Sequence, residues 1–227
     1  MRGKVESFKL DDLYIDAGEK KQIREAATSY FYLADVYTWA KPVLFITTGL
    51  VGTGKTTLAH ALAKRLGLAV ISSDVIRKQL AGVPLTEHRY EGFDRGIYST
   101  EFSRRTYDKM FAEARSILGE GNSVILDASF IRRGERLKAK SLAEELNADF
   151  IILESILDDE HIKCYLAQRA KETAVSDGRI EILEPQKKQF DAVTEVPEHN
   201  HVIIDTSLPE EEVIYKTLSE IDRTLRD

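Results

Sequence analysis

A glycine-rich segment containing a lysine and several threonines is the part of the sequence best suited to chemistry. Residues 49–57 read Gly-Leu-Val-Gly-Thr-Gly-Lys-Thr-Thr and fit the pattern G-x-x-x-x-G-K-[ST]. Glycines let the backbone N–H groups of such a loop point inward around phosphate oxygens, and a following helix presents its positive end. Lys55 supplies a compact charge for the β- and γ-phosphates, and the hydroxyl of Thr56 is placed to ligate Mg²⁺. The residues expected to surround the phosphates are Gly49, Val51, Gly52, Thr53, Gly54, Lys55, Thr56 and Thr57.

Asp74 and Arg77 form a second candidate pair, just after a short apolar run at 69–71. If a helix begins near Asp74, a spacing of three places the two side chains on one helix face. Ligands of open α/β sheets bind at the carboxyl ends of the strands. A carboxylate there could accept the proton of an attacking hydroxyl group. The alternative is that Asp74 only caps a helix, which aspartate often does.

Asp127 occupies the corresponding position after the apolar run at 124–126. An acid at the end of a buried strand commonly supports Mg²⁺ or its water ligands in P-loop enzymes. A cap or turn residue is the alternative interpretation.

Strands and helices alternate along the chain and would position these residues. Short apolar runs predict buried strands, and spacings of three and four predict helices between them. The predicted strands are 43–46, 69–71, 124–126, 149–153 and 201–205, and the predicted helices include 134–146, 158–172 and 209–225. This alternation predicts an α/β fold with a parallel sheet covered on both faces. A further amphipathic helix is predicted over 19–39, so we interpret residues 1–40 as an appendage and 41–227 as the main domain.

The amino-acid composition excludes several classes of protein for this sequence. The chain has 227 residues, of which 43% are hydrophobic and 31% charged, with a formal net charge of −6. This balance is typical of a globular domain, and the acidity argues against non-specific coating of nucleic acid. Cys164 is the only cysteine, which excludes an internal disulfide framework, and its apolar neighbours predict that it lies in the core. Because the sequence has neither a signal peptide nor a long apolar run, we expect a cytoplasmic protein without a membrane span.

Residues 43–205 resemble the small P-loop kinases that include phage-type polynucleotide kinase, zeta toxins, gluconate kinase and chloramphenicol phosphotransferase. The residues that carry the resemblance are 49–57, Ser73-Asp74 with Arg77, 127–130 followed by Arg136, and Arg169. The sequence is most similar to a predicted bacterial kinase domain that is fused behind an aminoglycoside-phosphotransferase-like domain. The strings that it shares with that domain are 73–78, 96–99 and 175–177.

The resemblance implies a P-loop NTPase fold of the nucleoside-kinase-like type, a three-layer α/β sandwich. Its five-stranded parallel sheet would have the order 2-3-1-4-5. The resemblance also implies an arginine-bearing lid, at about 168–182. The polar stretch rich in tyrosine and arginine at about 77–106 predicts a helical insert. Residues 1–40 would then be the connector to an upstream phosphotransferase-like domain or partner.

The same resemblance implies an ATP- and magnesium-dependent kinase that transfers the γ-phosphoryl group to a hydroxyl acceptor. Asp74 would be the acceptor-activating base, and Arg77 would position the acceptor. Arg169 would be the lid arginine that reaches the ATP phosphates. Because the partner arginine expected four residues later is Thr173 here, Lys171 and Arg179 are rivals for the lid cation.

Arg132, Arg133 and Arg136 are candidates for the anion site of the acceptor, or else a solvated basic helix start. The aromatic and basic residues of 88–107 could stack bases and bind phosphates of a nucleic-acid end, or form a folded insert with a basic surface. The acceptor is therefore a nucleic-acid 5′ end, a nucleotide-like compound or another small molecule. The alternative function is a nucleotide-binding regulatory module with weak ATPase activity and no acceptor.

Overall fold

The computed structural model describes residues 38–85, 96–169 and 180–226, with isolated residues and short pieces before residue 38. The described residues form a five-stranded sheet of order β2-β3-β1-β4-β5, as the resemblance implied. All four strand pairings are parallel. The strands are β1 (Val43–Thr48), β2 (Ala69–Ser72), β3 (Val124–Asp127), β4 (Asp149–Ile156) and β5 (His201–Asp205).

Strand β1 lies at the centre of the sheet, and all six of its residues are buried. Ile46 is in register with Leu126 of β3, and Thr48 is in register with Glu154 of β4. On the far side of β3, Ser72 of β2 is in register with Asp127. The carboxyl ends of β1, β2 and β3 therefore lie at one edge of the sheet, where the candidate residues follow them.

Seven α-helices surround the sheet in the described part of the chain. They are α1 (Lys55–Leu66), α2 (Ser73–Ala81), α3 (Thr100–Gly119), α4 (Arg133–Glu145), α5 (Asp159–Arg169), α6 (Leu183–Gln189) and α7 (Glu210–Arg226). Gly67 ends α1 in the left-handed conformation, with its N–H bonded to the carbonyl of Ala63, as expected of a glycine after a helix.

Two apolar cores lie on opposite faces of the sheet, because successive strand residues point to opposite sides. Phe45 belongs to the core formed with α1 and α7, which includes Leu62 and Leu218. Ile46 belongs to the core formed with α3 and α4, which includes Met110. The central strand is thus held from both sides, which fixes the position of the loop that follows it.

Several boundaries differ from the predicted ones. Strand β4 continues to Ile156, three residues beyond the predicted end, because the polar pair Glu154-Ser155 interrupts its apolar run without ending its pairing. Helix α6 is short and was not predicted. Most of the helix predicted over 19–39 lies outside the described residues, as do residues 86–95 of the predicted insert and 170–179 of the predicted lid.

Cys164 is exposed, so the prediction that it lies in the core is wrong. Helix α5 turns Ile162 and Leu166 inward, and both are buried. Cys164 is two residues from each, which is a rotation of about 200° around the helix, so it faces outward.

Among the helices that the structure describes, none has the length and apolar character needed to cross a membrane.

Candidate functional site

The glycine-rich loop connects β1 to α1 at the carboxyl edge of the sheet, as the motif requires. Gly49, Gly52 and Gly54 have φ angles of 134°, 79° and 78°, which side chains rarely tolerate. Helix α1 begins at Lys55, and its N-cap residue is Gly54, which has no side chain to cap the helix. Its first turn contains no acidic residue. The positive end of the helix is therefore available to an anion.

The loop is packed closely between β4 and α5. A Cβ atom added to Gly49 would lie 2.4 Å from the Ser155 carbonyl oxygen on β4. A Cβ atom added to Gly52 would lie 3.0 Å from Cγ of Leu166 on α5. At these two positions glycine is required by close approach as well as by backbone conformation.

Polar contacts hold the loop in a defined shape. The Lys55 ammonium donates a hydrogen bond to the Leu50 carbonyl across the loop. The Thr53 hydroxyl donates to the same carbonyl at 2.9 Å. From beyond β5, the Thr206 hydroxyl donates to the Thr53 carbonyl at 3.0 Å. Hydrogen bonds therefore connect residues within the loop and also connect the loop to Thr206, the residue that follows β5.

Two buried threonines at the end of β1 tie the loop to the segment that follows β3. The Thr47 hydroxyl donates to the Ala128 carbonyl at 2.8 Å. The Thr48 hydroxyl donates to the Phe130 carbonyl at 3.1 Å, and the next backbone N–H, that of Gly49, donates to the Ser129 carbonyl at 3.2 Å. These bonds hold the segment after Asp127 beside the loop.

Asp127 is 3% exposed and lies among the predicted site residues. Burial raises the pKa of its carboxyl group above the ordinary value, and the negative charge of Asp74 acts in the same direction. The opposing effects on this pKa come first from a hydrogen bond with the Thr56 side chain and then from the charge of Lys55. The structure thus brings Lys55, Thr56, Asp74 and Asp127 into one neighbourhood.

Asp74 lies in the first turn of α2 and is partly buried. Ser72 is the N-cap residue of this helix and makes no side-chain cap bond. The alternative that Asp74 itself caps the helix therefore does not apply to α2.

Arg77, one turn further along α2, is only 7% exposed. Its Nη1 atom donates to the Ile97 carbonyl at 2.6 Å and to the Ser103 hydroxyl at 3.2 Å. Its guanidinium lies 4.9 Å from the ring centre of Tyr98. Its Nε atom is buried and has no hydrogen-bond partner within the described part of the chain.

Arg136 does not lie where the acceptor interpretation requires an open cation. It is fully buried and forms an ion pair with the equally buried Glu195 side chain. Its terminal nitrogens also donate to the carbonyls of Phe130 at 2.9 Å and Asp191 at 2.9 Å. Since its donors are used inside the protein, we assign Arg136 to the stability of the fold.

Arg132 and Arg133 are exposed at the start of α4. Arg132 donates to the side-chain oxygen of Gln189 at 2.8 Å. The Asp191 carboxylate accepts a hydrogen bond from the Arg133 backbone N–H at 2.9 Å. That carboxylate offsets the unfavourable placement of cations at a helix N-terminus.

The described members of the aromatic and basic cluster make contacts within the protein. Arg104 forms an ion pair with Glu101 at 2.7 Å. The ring of Tyr107 packs against Phe130 with centroids 5.0 Å apart. Glu101, Arg104 and Tyr107 belong to helix α3. Residues 88–95 of the cluster lie outside the described residues.

The lid prediction falls outside what the structure describes. The side chain of Arg169 and the rival residues Lys171 and Arg179 all belong to the part of the chain that is not described.

Gln186 is a residue of the site that the sequence did not predict. Its side-chain oxygen accepts a hydrogen bond from the Val51 backbone N–H at 2.7 Å. The two residues are 135 positions apart. No local pattern around Gln186 marks it as a neighbour of the loop, so only the fold reveals it.

The parallel sheet of order 2-3-1-4-5, with the glycine-rich loop between β1 and α1, defines a P-loop NTPase fold of the nucleoside-kinase-like type. Within that class, residues 44–193 match the model of the AAA_33 family, described as an AAA domain. The chain belongs to this family.

Several solved structures share the fold. A gluconokinase from Sinorhizobium meliloti is 18% identical and superposes with a TM-score of 0.56, covering 82% of this chain and 94% of that one. Kti12 from Chaetomium thermophilum, in complex with ADP-AlF3, is 19% identical with a TM-score of 0.58, covering 78% and 98%. The APS kinase CysC of Mycobacterium tuberculosis, in complex with AMPPNP and APS, is 14% identical with a TM-score of 0.52, covering 82% and 99%.

The curated relatives are uncharacterized proteins from Mycobacterium tuberculosis and Mycobacterium bovis. Each is 33% identical over 108 residues, which is 48% of this chain. The match spans only 22% of the length of each relative.

Proposed function

We propose that the protein is an ATP- and magnesium-dependent kinase that transfers the γ-phosphoryl group of ATP to a hydroxyl acceptor. The observation that carries the proposal is the arrangement of carboxyl groups at the start of α1. There the buried Asp127 bonds to Thr56, and Asp74 lies close enough to raise the pKa of Asp127. A P-loop with one carboxyl group at the metal position and a second towards the acceptor is suited to phosphoryl transfer.

The residues present fit a magnesium ion. Thr56 and Asp127 offer a hydroxyl and a carboxyl oxygen, and Mg²⁺ prefers oxygen ligands and usually retains several water ligands. Burial raises the pKa of the Asp127 carboxyl, and a nearby divalent charge would favour its ionised form. Thr56 would hold the ion directly, and Asp127 would hold it or its waters. When bound, the ion would neutralise charge on the β- and γ-phosphates.

The loop and Lys55 would hold the triphosphate. The backbone N–H groups at the start of α1 would donate to phosphate oxygens, and the Lys55 ammonium would leave the Leu50 carbonyl to pair with them. Because an ammonium bonds more strongly to a phosphate than to a neutral carbonyl, this exchange is favourable.

Asp74 would act on the acceptor. Its carboxylate takes the proton of the acceptor hydroxyl while the acceptor oxygen bonds to the γ-phosphorus. The bond from that phosphorus to the β–γ bridging oxygen breaks, and ADP leaves with the electron pair. Arg77, on the same helix, remains our assignment for the cation that positions the acceptor. Arg169 of the lid remains our assignment for the cation that closes over the phosphates.

The acceptor class stays a proposal among a nucleic-acid 5′ end, a nucleotide-like compound and another small molecule. An upstream phosphotransferase-like domain or partner also stays a proposal. The match covers 22% of the mycobacterial relatives, so those proteins have room for a further domain. We further propose that the protein works in the cytoplasm.

Incubation with γ-labelled ATP, Mg²⁺ and a panel of acceptors tests the function. The panel contains nucleosides, sugars, aminoglycosides and 5′-hydroxyl oligonucleotides. We expect label to appear on one acceptor class, and we expect Lys55→Met to abolish the transfer. Lys64→Met, at a position further along the same helix, serves as the matched control and should retain activity.

Release of free phosphate alone, with no labelled acceptor, would favour the regulatory module with weak ATPase activity over the kinase. Equal transfer by the Lys55→Met variant would exclude the P-loop from the reaction.

A further inference from the structure

The first arm of the phosphate loop, residues 50–52, is held by a side chain from outside the motif. The Val51 backbone N–H donates to the Gln186 side-chain oxygen at 2.7 Å. By contrast, the loop's own backbone bond from Thr53 N to the Leu50 carbonyl is long, at 3.4 Å. The loop's side-chain bonds, from the Thr53 hydroxyl and the Lys55 ammonium, end on the Leu50 carbonyl. The bond to the Val51 amide comes instead from helix α6.

Apolar packing brings α6 to the arm. Val51 and Leu183 are buried in one small cluster with Ile162 and Leu166 of α5. Leu183 is the first residue of α6 and is 1% exposed, so it anchors the helix against the loop. Gln186 lies three residues further along, on the same side of the helix.

We infer that Gln186 is a positioning residue for the phosphate loop, an inference that rests on the proposed binding of ATP. Its side-chain carbonyl fixes the Val51 amide, and with it the first arm of the loop, before nucleotide arrives. A loop that is already ordered loses less conformational entropy when it binds phosphates. Gln186 thus raises the affinity for the triphosphate without touching the base.

Substitution of Gln186 separates this role from simple packing. Gln186→Met keeps the length of the side chain but removes the oxygen that accepts from Val51. Gln186→Glu keeps an acceptor oxygen at the same distance along the side chain. Gln189→Met is the matched control, because Gln189 lies on the same helix and accepts a similar bond from Arg132 at 2.8 Å, away from the loop.

Hydrogen exchange of the Val51 amide in the nucleotide-free protein is the first measurement. We expect slow exchange in the wild type, the Gln189→Met control and Gln186→Glu. In Gln186→Met we expect exchange to be at least about tenfold faster, because a hydrogen bond protects an amide in proportion to its stability. Fast exchange in the wild type, or unchanged exchange in Gln186→Met, would overturn the inference.

Calorimetry with Mg²⁺ and either ATP or inorganic tripolyphosphate is the second measurement. Gln186→Met should bind both about tenfold more weakly, the factor expected for the loss of one hydrogen bond. The Gln189→Met control should bind both like the wild type. A loss for ATP without a loss for tripolyphosphate would place the effect at the base and contradict the inference.

Gln186→Asn provides a variant that keeps polarity at this position if Gln186→Met does not fold. Its side chain is one methylene shorter, so it should show the same faster exchange and weaker binding. If the wild type binds neither ATP nor tripolyphosphate, the proposed function fails, whereas the exchange measurement still decides whether Gln186 holds the loop.

Discussion

Two carboxyl groups near Thr56 differ in their surroundings, and we propose different roles for them. Asp127 is 3% exposed, bonds to the Thr56 hydroxyl and has a pKa raised by burial. Asp74 is partly buried in the first turn of α2. We propose that Asp127, whose ionised form a metal ion would favour, serves the cation, and that Asp74 takes the proton of the acceptor. Different surroundings give two carboxyl groups different tasks in other enzymes as well.

Replacement of Asp74 by asparagine should affect the chemical step and leave nucleotide binding almost unchanged. Asparagine has similar size but cannot take a proton from the acceptor. We expect phosphoryl transfer to fall by a factor of about 10²–10⁴, the usual contribution of a general base. Transfer to the acceptor identified in the labelling panel measures the first effect, and calorimetry with ATP measures the second.

Asp108→Asn, an exposed substitution on α3, is the control for this experiment and should transfer phosphate like the wild type. Normal transfer by Asp74→Asn would show that the base lies elsewhere.

At the level of single residues, the sequence predicted the loop and the acids that lie beside it. Lys55, Thr56 and Asp127 could be found because each belongs to a motif or follows a strand. Arg136 was misplaced because a basic residue near the start of a helix does not show which way it points. Its partner, Glu195, lies 59 residues away, beyond any local pattern.

Among the elements, the connection from β1 to α1 has little backbone freedom. Gly49 has a φ of 134° and lies against the backbone of β4. The loop can keep its shape only while the end of β4 stays in place, so the length of β4 matters to the site.

Gly49→Ala should disturb the loop by steric contact. Its Cβ would lie 2.4 Å from the Ser155 carbonyl oxygen, so the backbone of the loop or of β4 must move. We expect a loss of about 1–3 kcal/mol in the free energy of unfolding, the range for strained backbone, together with loss of ATP binding. Urea unfolding and calorimetry measure the two effects.

Gly119→Ala is the opposite case and the control. Gly119 is helical, at the end of α3, and an added Cβ would meet nothing within 4 Å. This variant should be more stable by about 0.5–1 kcal/mol, since alanine favours a helix over glycine. Equal stability of the two variants would contradict the steric argument.

Strand and helix positions were predictable where apolar periodicity was strong. The predicted strand 201–205 coincides with β5, and the helix predicted at 134–146 differs from α4 by one residue at each end. Helix α6 escaped prediction because it is seven residues long and has one buried apolar residue, Leu183. Its position depends on the cluster it forms with α5 and the loop.

Across the whole molecule, a buried ion pair joins segments that are far apart in sequence. Arg136 of α4 pairs with Glu195. The Arg136 guanidinium also donates hydrogen bonds to the carbonyls of Phe130 and Ala192. Glu195 in turn accepts from the Thr194 N–H at 3.0 Å. The pair thereby fastens residues 191–196 and the segment after β3 to helix α4.

Acid should lower the stability of the fold, because it protonates Glu195 of this ion pair. Burial raises the pKa of Glu195, but the hydrogen bond from Arg136 and the one from Thr194 outweigh it, so the net pKa lies below the ordinary value of 4.5. A lowered pKa means that the stabilisation is complete above about pH 4.5 and is lost as the pH falls through the folded-state pKa. Glu195→Gln should cost about 3–5 kcal/mol at pH 7, because it leaves the Arg136 charge buried without its partner.

Urea unfolding between pH 3 and pH 7 checks both statements. The stability difference between the wild type and Glu195→Gln should shrink as the pH falls below 4.5. Glu145→Gln, which removes an exposed partner of Arg115, should have little effect at any of these values. A difference that stays constant over the whole range would exclude Glu195 as the source of acid sensitivity.

The outward position of Cys164 has a practical consequence. It is the only thiol in the chain and it is exposed. It lies on the helix whose opposite side, through Leu166, packs against Gly52. A maleimide fluorophore would therefore attach at a single known point without mutagenesis, and its emission would show whether that helix moves when ATP is added.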